Sequence, residues 1–101
     1  MSTTVNDGES VTKDPDASRV FTWNWDADLA SGASIDTSTW VITGPDSGLT
    51  SDNASKASRT TSVRLSGGTV GKTYTVTNRI VTDTSPAETE DASITVLIRQ
   101  Q

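Results

Sequence analysis

Val20-Phe21-Thr22-Trp23-Asn24-Trp25 is the stretch whose reading decides the fold class. Side chains of a strand point alternately to opposite faces, so Phe21, Trp23 and Trp25 share one apolar face. Two more stretches repeat the pattern. Ile35 to Thr43 places Trp40 and Ile42 together, and Lys72 to Thr82 does the same for Tyr74, Val76, Asn78 and Ile80. These segments hold every Trp and the only Tyr and Phe.

Working outward, Val11 to Asp16 reads as a short first strand stopped by Asp14-Pro15, because Pro cannot donate to a ladder. Thr60 to Ser66 turns Val63 and Leu65 inward, and Ser93 to Arg99 closes the sheet with Ile94, Val96 and Ile98 on one side. Residues 49–58 are ambiguous: Leu49-Thr50 offers a brief pairing and Asp52-Asn53 a turn. Asp26 to Gly32 is suited to one helical turn, capped by Asp26 and stopped by Gly32. Asp83 to Asp91 reads as an acidic loop around Pro86. The expectation is an all-β, immunoglobulin-like antiparallel β-sandwich of about seven strands over residues 11–101. Residues 1–10 are expected to form a flexible N-terminal arm.

Spacing sharpens this expectation. In immunoglobulin-like sandwiches a buried Trp packs on an inter-sheet disulfide, and a Tyr two residues before the second Cys bonds back to the backbone. Trp40 fits the Trp, Tyr74 the corner Tyr, and Val76 the second Cys position. Phe21 or Trp23 fills the partner position, so apolar packing replaces the disulfide. Phe21, Trp23, Trp40, Leu65, Tyr74 and Val76 are the expected structural core.

Composition narrows function. The 101 residues fit one domain, and a hydrophobic share of 32% with abundant Thr and Ser suits two sheets with polar outer faces. Eight basic residues against thirteen acidic ones give a net charge of −5. That balance lacks the basic footprint of nucleic-acid binding. Cys and His are absent, which excludes a disulfide, a thiolate nucleophile and a Ser-His-Asp triad. Met1 leads into polar residues with no basic start or apolar run, and no stretch approaches a membrane-spanning length. No signal peptide and no membrane partner are therefore expected.

Each candidate site has a plainer explanation. Asp14, Asp16, Asp26, Asp28 and Asp36 could supply Ca²⁺ oxygens, but no Asp-x-Asp-x-Asp-Gly loop is present and Asp is a common turn residue. Glu88, Glu90 and Asp91 lack an anchored partner for acid–base work. Gly67-Gly68-Thr69-Val70-Gly71 joins two strands and opens no helix, so turn geometry explains it better than phosphate binding. Asn53-Ala54-Ser55 matches a glycosylation acceptor pattern that recurs by chance. Trp25, at the end of its strand, is the aromatic most open to a sugar or peptide. No catalytic residue, cofactor or metal is expected.

Several segments taken in order resemble a family of small tailed-bacteriophage virion proteins, the fibre-tail adaptor or phage immunoglobulin-like proteins. They are Lys13-Asp14-Pro15-Asp16-Ala17, Phe21-Thr22-Trp23-Asn24-Trp25, Thr39-Trp40, Gly48-Leu49-Thr50 and Val63-Arg64-Leu65-Ser66-Gly67-Gly68-Thr69-Val70-Gly71-Lys72-Thr73-Tyr74. The resemblance implies a non-enzymatic virion component, either an adaptor in the tail and fibre region or a capsid-surface decoration subunit. Its implied partners are other phage structural proteins (tail, fibre or capsid subunits), met in multiple copies. Ser85-Pro86-Ala87-Glu88 departs from the tighter hairpin the family leads one to expect, making Pro86, Glu88 and Glu90 the candidate partner contacts. The alternative is an immunoglobulin-like module binding a host carbohydrate or receptor.

Overall fold

A computed structural model describes residues 2–5, 7–26, 29 and 32–100. Among them run eight strands: β1 Ser2–Val5, β2 Ser10–Lys13, β3 Ser18–Asn24, β4 Ile35–Thr43, β5 Leu49–Lys56, β6 Thr60–Gly67, β7 Thr73–Thr82 and β8 Thr89–Ile98. They form two four-stranded sheets, ordered β1-β3-β6-β5 and β2-β8-β7-β4. The inward residues of both sheets make one core, including Phe21, Trp23, Leu65, Tyr74, Val76, Ile80, Ile94, Val96 and Ile98. Trp40 is half-buried and packs against it. Its ring meets that of Trp23 edge to face across the sheets, with centroids 4.7 Å apart.

The pairing is not wholly antiparallel. β1 runs parallel to β3, and β2 runs parallel to β8. Within the segment expected as an arm, Ser2–Val5 lie along β3 and Val5 is buried. The chain then turns at Asp7-Gly8 and crosses to the other sheet. There Gly8 N–H donates to Ser93 O (2.8 Å), Thr95 N–H to Glu9 O (2.9 Å) and Ser93 N–H to Asp7 Oδ1 (2.8 Å). This double use of the N-terminal segment raises the strand number to eight and makes both sheets mixed.

Two expected loops are partly strand. β5 continues from Leu49 to Lys56 through an irregularity between Asp52 and Ser55, where Asn53 takes a φ of 50°. All its side chains after Leu49 are exposed, so the segment carries no alternation to read. Glu90 and Asp91 belong to β8, which begins at Thr89. Asp91 lies opposite Arg79 and pairs with it at 2.7 Å, which extends the ladder into a stretch that reads as acidic loop. The expected helical turn falls mostly outside the described residues. Of it, the Leu29 N–H bond to Trp25 O is seen at 3.1 Å.

The outer faces account for the Ser and Thr content. Cross-strand hydroxyl pairs join Ser18 to Ser66, Thr22 to Ser62 and Thr77 to Ser93 at 2.7–2.9 Å. Arg64 meets Asp52 through two bonds, at 2.8 and 2.6 Å.

One polar network crosses the core. Asn78 on β7 is fully buried; its Oδ1 accepts from Thr61 Oγ1 on β6 (2.6 Å) and from Trp25 Nε1 (3.1 Å). Its Nδ2 donates to Ser38 Oγ (2.8 Å) and Thr39 O (2.9 Å) on β4. Asn78 thereby links β6 of one sheet to β7 and β4 of the other. Buried polar groups left without partners are costly, so Asn78→Ala is expected to lose about 1–3 kcal/mol of stability. Urea unfolding measures it; a loss within about 0.5 kcal/mol, the range of ordinary surface changes, would show that the network holds nothing.

Candidate interaction surface

The Gly67–Tyr74 segment builds a corner. The β4–β5 and β6–β7 connections both pass from one sheet to the other at this end, and Tyr74 ties them together. Its hydroxyl accepts the Thr69 N–H (3.0 Å) and donates to Asp46 Oδ1 (2.5 Å), while Thr69 Oγ1 donates to Asp46 Oδ2 (3.0 Å). Asp46 also accepts the Gly48 N–H at 2.8 Å. Gly67 has a φ of +80°, and a Cβ there would stand 2.5 Å from Gly48 O. A Cβ on Gly44 would strike the Tyr74 ring. Backbone sterics therefore require glycine at position 67 and the packed Tyr74 ring requires it at position 44, and the motif serves the fold.

Lys13 completes the corner from β2. Its side chain is fully buried, and Nζ donates to Gly67 O (2.7 Å) on the facing sheet and to Asp14 O (2.8 Å). Burial pushes its pKa below the usual lysine value, while the nearby Asp14 and Asp16 carboxylates oppose that shift. Lys13 is a cross-sheet tie, a role invisible in the sequence.

The opposite end gathers Trp25, Asp26, Leu29 and residues 32–34 with the loops 57–59 and 83–88. Arg59 is its hub: its guanidinium pairs with the Asp26 carboxylate and donates to Asp26 O (2.9 Å), Ala33 O (2.9 Å) and Leu29 O (3.2 Å). Trp25 N–H donates to Arg59 O and Ile35 N–H to Ser58 O. Ser34 and Asp83 bond reciprocally at 2.9 and 3.0 Å. The 83–88 loop closes on Thr82, whose N–H donates to Glu88 O (2.8 Å) and whose Oγ1 accepts the Glu88 N–H (2.9 Å). Pro86 and Glu88 sit exposed on this loop; Glu90 is exposed on β8. The three are thus not one loop cluster. Pro86 and Glu88 belong to the laced end, and Glu90 to the strand beside it.

The acidic residues considered for Ca²⁺ do not converge. Asp14 Oδ1 accepts the Asp16 N–H, Asp26 is held by Arg59, and Asp36 is exposed on β4. Asp28 lies outside the described residues. Among the described residues no group of three His, Cys, Asp or Glu could hold a metal ion.

Trp25 lies deeper than its strand-end position suggests, and Trp40, though packed against the core, is the shallower of the two. Trp25 is 2% exposed, because its indole N–H turns inward to Thr61 and Asn78. It offers no platform. Trp40 instead lines a groove of about 190 Å³ between β4 and β5, with Ser38, Ala54, Ser55 and Lys56. Beside it on the outer face, Val41 is 54% exposed. The signal available in the sequence was Trp40-Val41-Ile42, apolar on both faces of one strand.

Comparison with known proteins gives one family and one fold. The family model described as podophage GP4 fiber-tail adaptor protein gp77 matches residues 13–97. The crystal structure of EhICP2, a cysteine protease inhibitor from Entamoeba histolytica, has a TM-score of 0.56 at 15% identity, over 96% of this chain and 94% of that one. At that identity the likeness concerns fold alone. The solution structure of Amebosin, 11% identical over 98% of this chain and 99% of its own, has a TM-score of 0.42, too low to carry an argument. No curated protein matches the sequence.

The corner carries a pH signature. The Tyr74 hydroxyl above all, then the Gly48 N–H, Thr69 and Lys72, hold the Asp46 carboxyl below the usual range. Arg64 and Arg79 do the same for Asp52 and Asp91. A carboxyl with a depressed folded pKa contributes fully above its unfolded value, about 3.9, and loses that contribution as pH falls toward the folded one. The melting temperature is expected to drop through this acid window, and less steeply in Asp46→Asn. Equal slopes in wild type and variant would remove Asp46 from the account.

Proposed function

The chain belongs to the podophage fibre-tail adaptor family, and from that premise we propose that it is a non-enzymatic virion protein joining tail and fibre components. The carrying observation is a family match that begins at the buried Lys13 and spans the Gly67–Tyr74 corner and most of β8. The disposition of the charged groups supports it. Asp26, Asp52 and Asp91 are engaged by Arg59, Arg64 and Arg79. Of the acidic residues near Pro86, Glu88 lies on the loop and Glu90 and Asp91 lie on β8. The order β1-β3-β6-β5 over β2-β8-β7-β4 supports reading the sandwich as immunoglobulin-like.

An adaptor needs a stiff body with contacts at its margins. The laced loop end with Pro86 and Glu88 provides one margin and the open sheet edges another. Many copies then add up modest interfaces. Family membership favours the tail over capsid decoration, and the burial of Trp25 weakens the host-carbohydrate reading. Gold-labelled antibody against the chain, applied to intact particles, is expected to mark tail and fibres. Label spread across the head would replace the adaptor with a decoration subunit, and unlabelled particles would remove it from the virion.

We place the domain boundary near residue 10, with the preceding segment as an arm docked through Val5. β1 is a four-residue edge strand, so removing residues 1–10 is expected to leave a cooperative but less stable domain that enters particles poorly. Circular dichroism melting and particle composition measure the two effects. Loss of cooperative unfolding would make the segment an integral part of the domain.

A further inference from the structure

The sandwich has four sheet edges, and they are not equally protected. β1 and β2 are four residues each, and β2 ends at Asp14-Pro15. β5 carries an irregularity at Asp52–Ser55 together with Asp52 and Lys56, the devices by which proteins blunt an edge. β4 differs. It has nine residues, is rich in β-branched and aromatic side chains, and bears charge only at Asp36. Its irregularity is confined to its start, between Ile35 and Thr37. As the last strand of its sheet it turns one row of backbone N–H and C=O groups away from β7.

The surroundings specify what would pair there. A strand added to β4 continues the alternation: its inward side chains enter the groove lined by Ser38, Trp40, Ser55 and Lys56, and its outward ones lie beside Thr39 and Val41. Lys56 takes no part in the ion pairs among the described residues, which engage Arg59, Arg64 and Arg79. It is a cation on a chain of net charge −5, lining the same groove as the Trp40 indole. An inward Glu or Asp fits both, with its stem on Trp40 and its carboxylate on Lys56.

We propose that β4 accepts an extended segment of a neighbouring tail or fibre protein as an added strand, an acidic side chain of that segment reaching Lys56. This rests on the adaptor reading and names its docking edge. A second copy of this chain is the poorer occupant. Its own β4 offers only Asp36, and two bodies of charge −5 repel.

Three variants test the proposal in particles assembled on each in place of wild type, with melting of the isolated proteins checked first. Lys56→Glu is expected to reduce copies per particle at least about tenfold, and Lys56→Arg to keep them near wild type. Ile42→Pro removes an N–H on the open side of β4 and is expected to be lost from particles similarly. If it does not fold, amide hydrogen exchange on wild-type particles replaces it, with slowed exchange over residues 36–43 relative to the free protein as the expected result. Normal incorporation of Lys56→Glu, or unchanged exchange over β4, would overturn the added strand. A stable dimer of the isolated wild type, abolished by Lys56→Glu, would overturn it in favour of self-pairing. Absence of wild type from particles would overturn the adaptor reading and this inference together. Wild type present with Lys56→Glu equally abundant would sink this inference alone.

Discussion

The Tyr74 hydroxyl is the point on which the arrangement of the two sheets depends. It accepts from Thr69 and donates to Asp46, and so binds the two connections that pass between sheets at this end. Lys13 adds the N-terminal strand β2 to the same corner through Gly67 O. A chain without Cys needs such ties, since nothing covalent fixes the sheets against each other. Gly44 and Gly67 are small because the tyrosine ring and the Gly48 carbonyl occupy the space a side chain would take. Much of the motif that resembles the adaptor family thus has a mechanical reason.

At the far end Asn78 and Arg59 play matching parts, one inside the core and one across the loops. Hydrogen-bonded polar groups in a low-dielectric interior favour one packing over others, because a shifted packing leaves them unpaired. The body is therefore fixed at both ends by directional contacts, and along its middle by apolar side chains. What remains adaptable lies at the margins: the 83–88 loop, and the edge of β4 with its Trp40 groove.

Much of this was legible in the sequence. Alternation marked β3, β4, β6, β7 and most of β8, because each buries one face. Spacing alone singled out Tyr74 as a corner residue. β5 was not legible, since seven of its eight side chains are exposed and no pattern distinguishes them from a loop. The parallel course of β1 and β2 was hidden too, because short segments do not reveal which neighbour they join. Depth at strand ends also escaped. Trp25 follows β3 and is buried by the bonds of its indole N–H, whereas Trp40, in mid-strand, lies at an open edge. Alternation placed Asn78 on the inner face of β7, but its partners Trp25, Ser38, Thr39 and Thr61, like Gly67 for Lys13 and Asp26 for Arg59, are distant in the chain and left no local signal. The open edge became visible only once the order of strands was known.

The central claim is that the family-like corner builds the body while the margins make the contacts. A high-resolution image of the assembled tail tests it most directly. It should show partner density against the β4 edge and the 83–88 loop, with the Gly67–Tyr74 corner free of intermolecular contact. Partner density seated on that corner, with β4 left bare, would contradict the account.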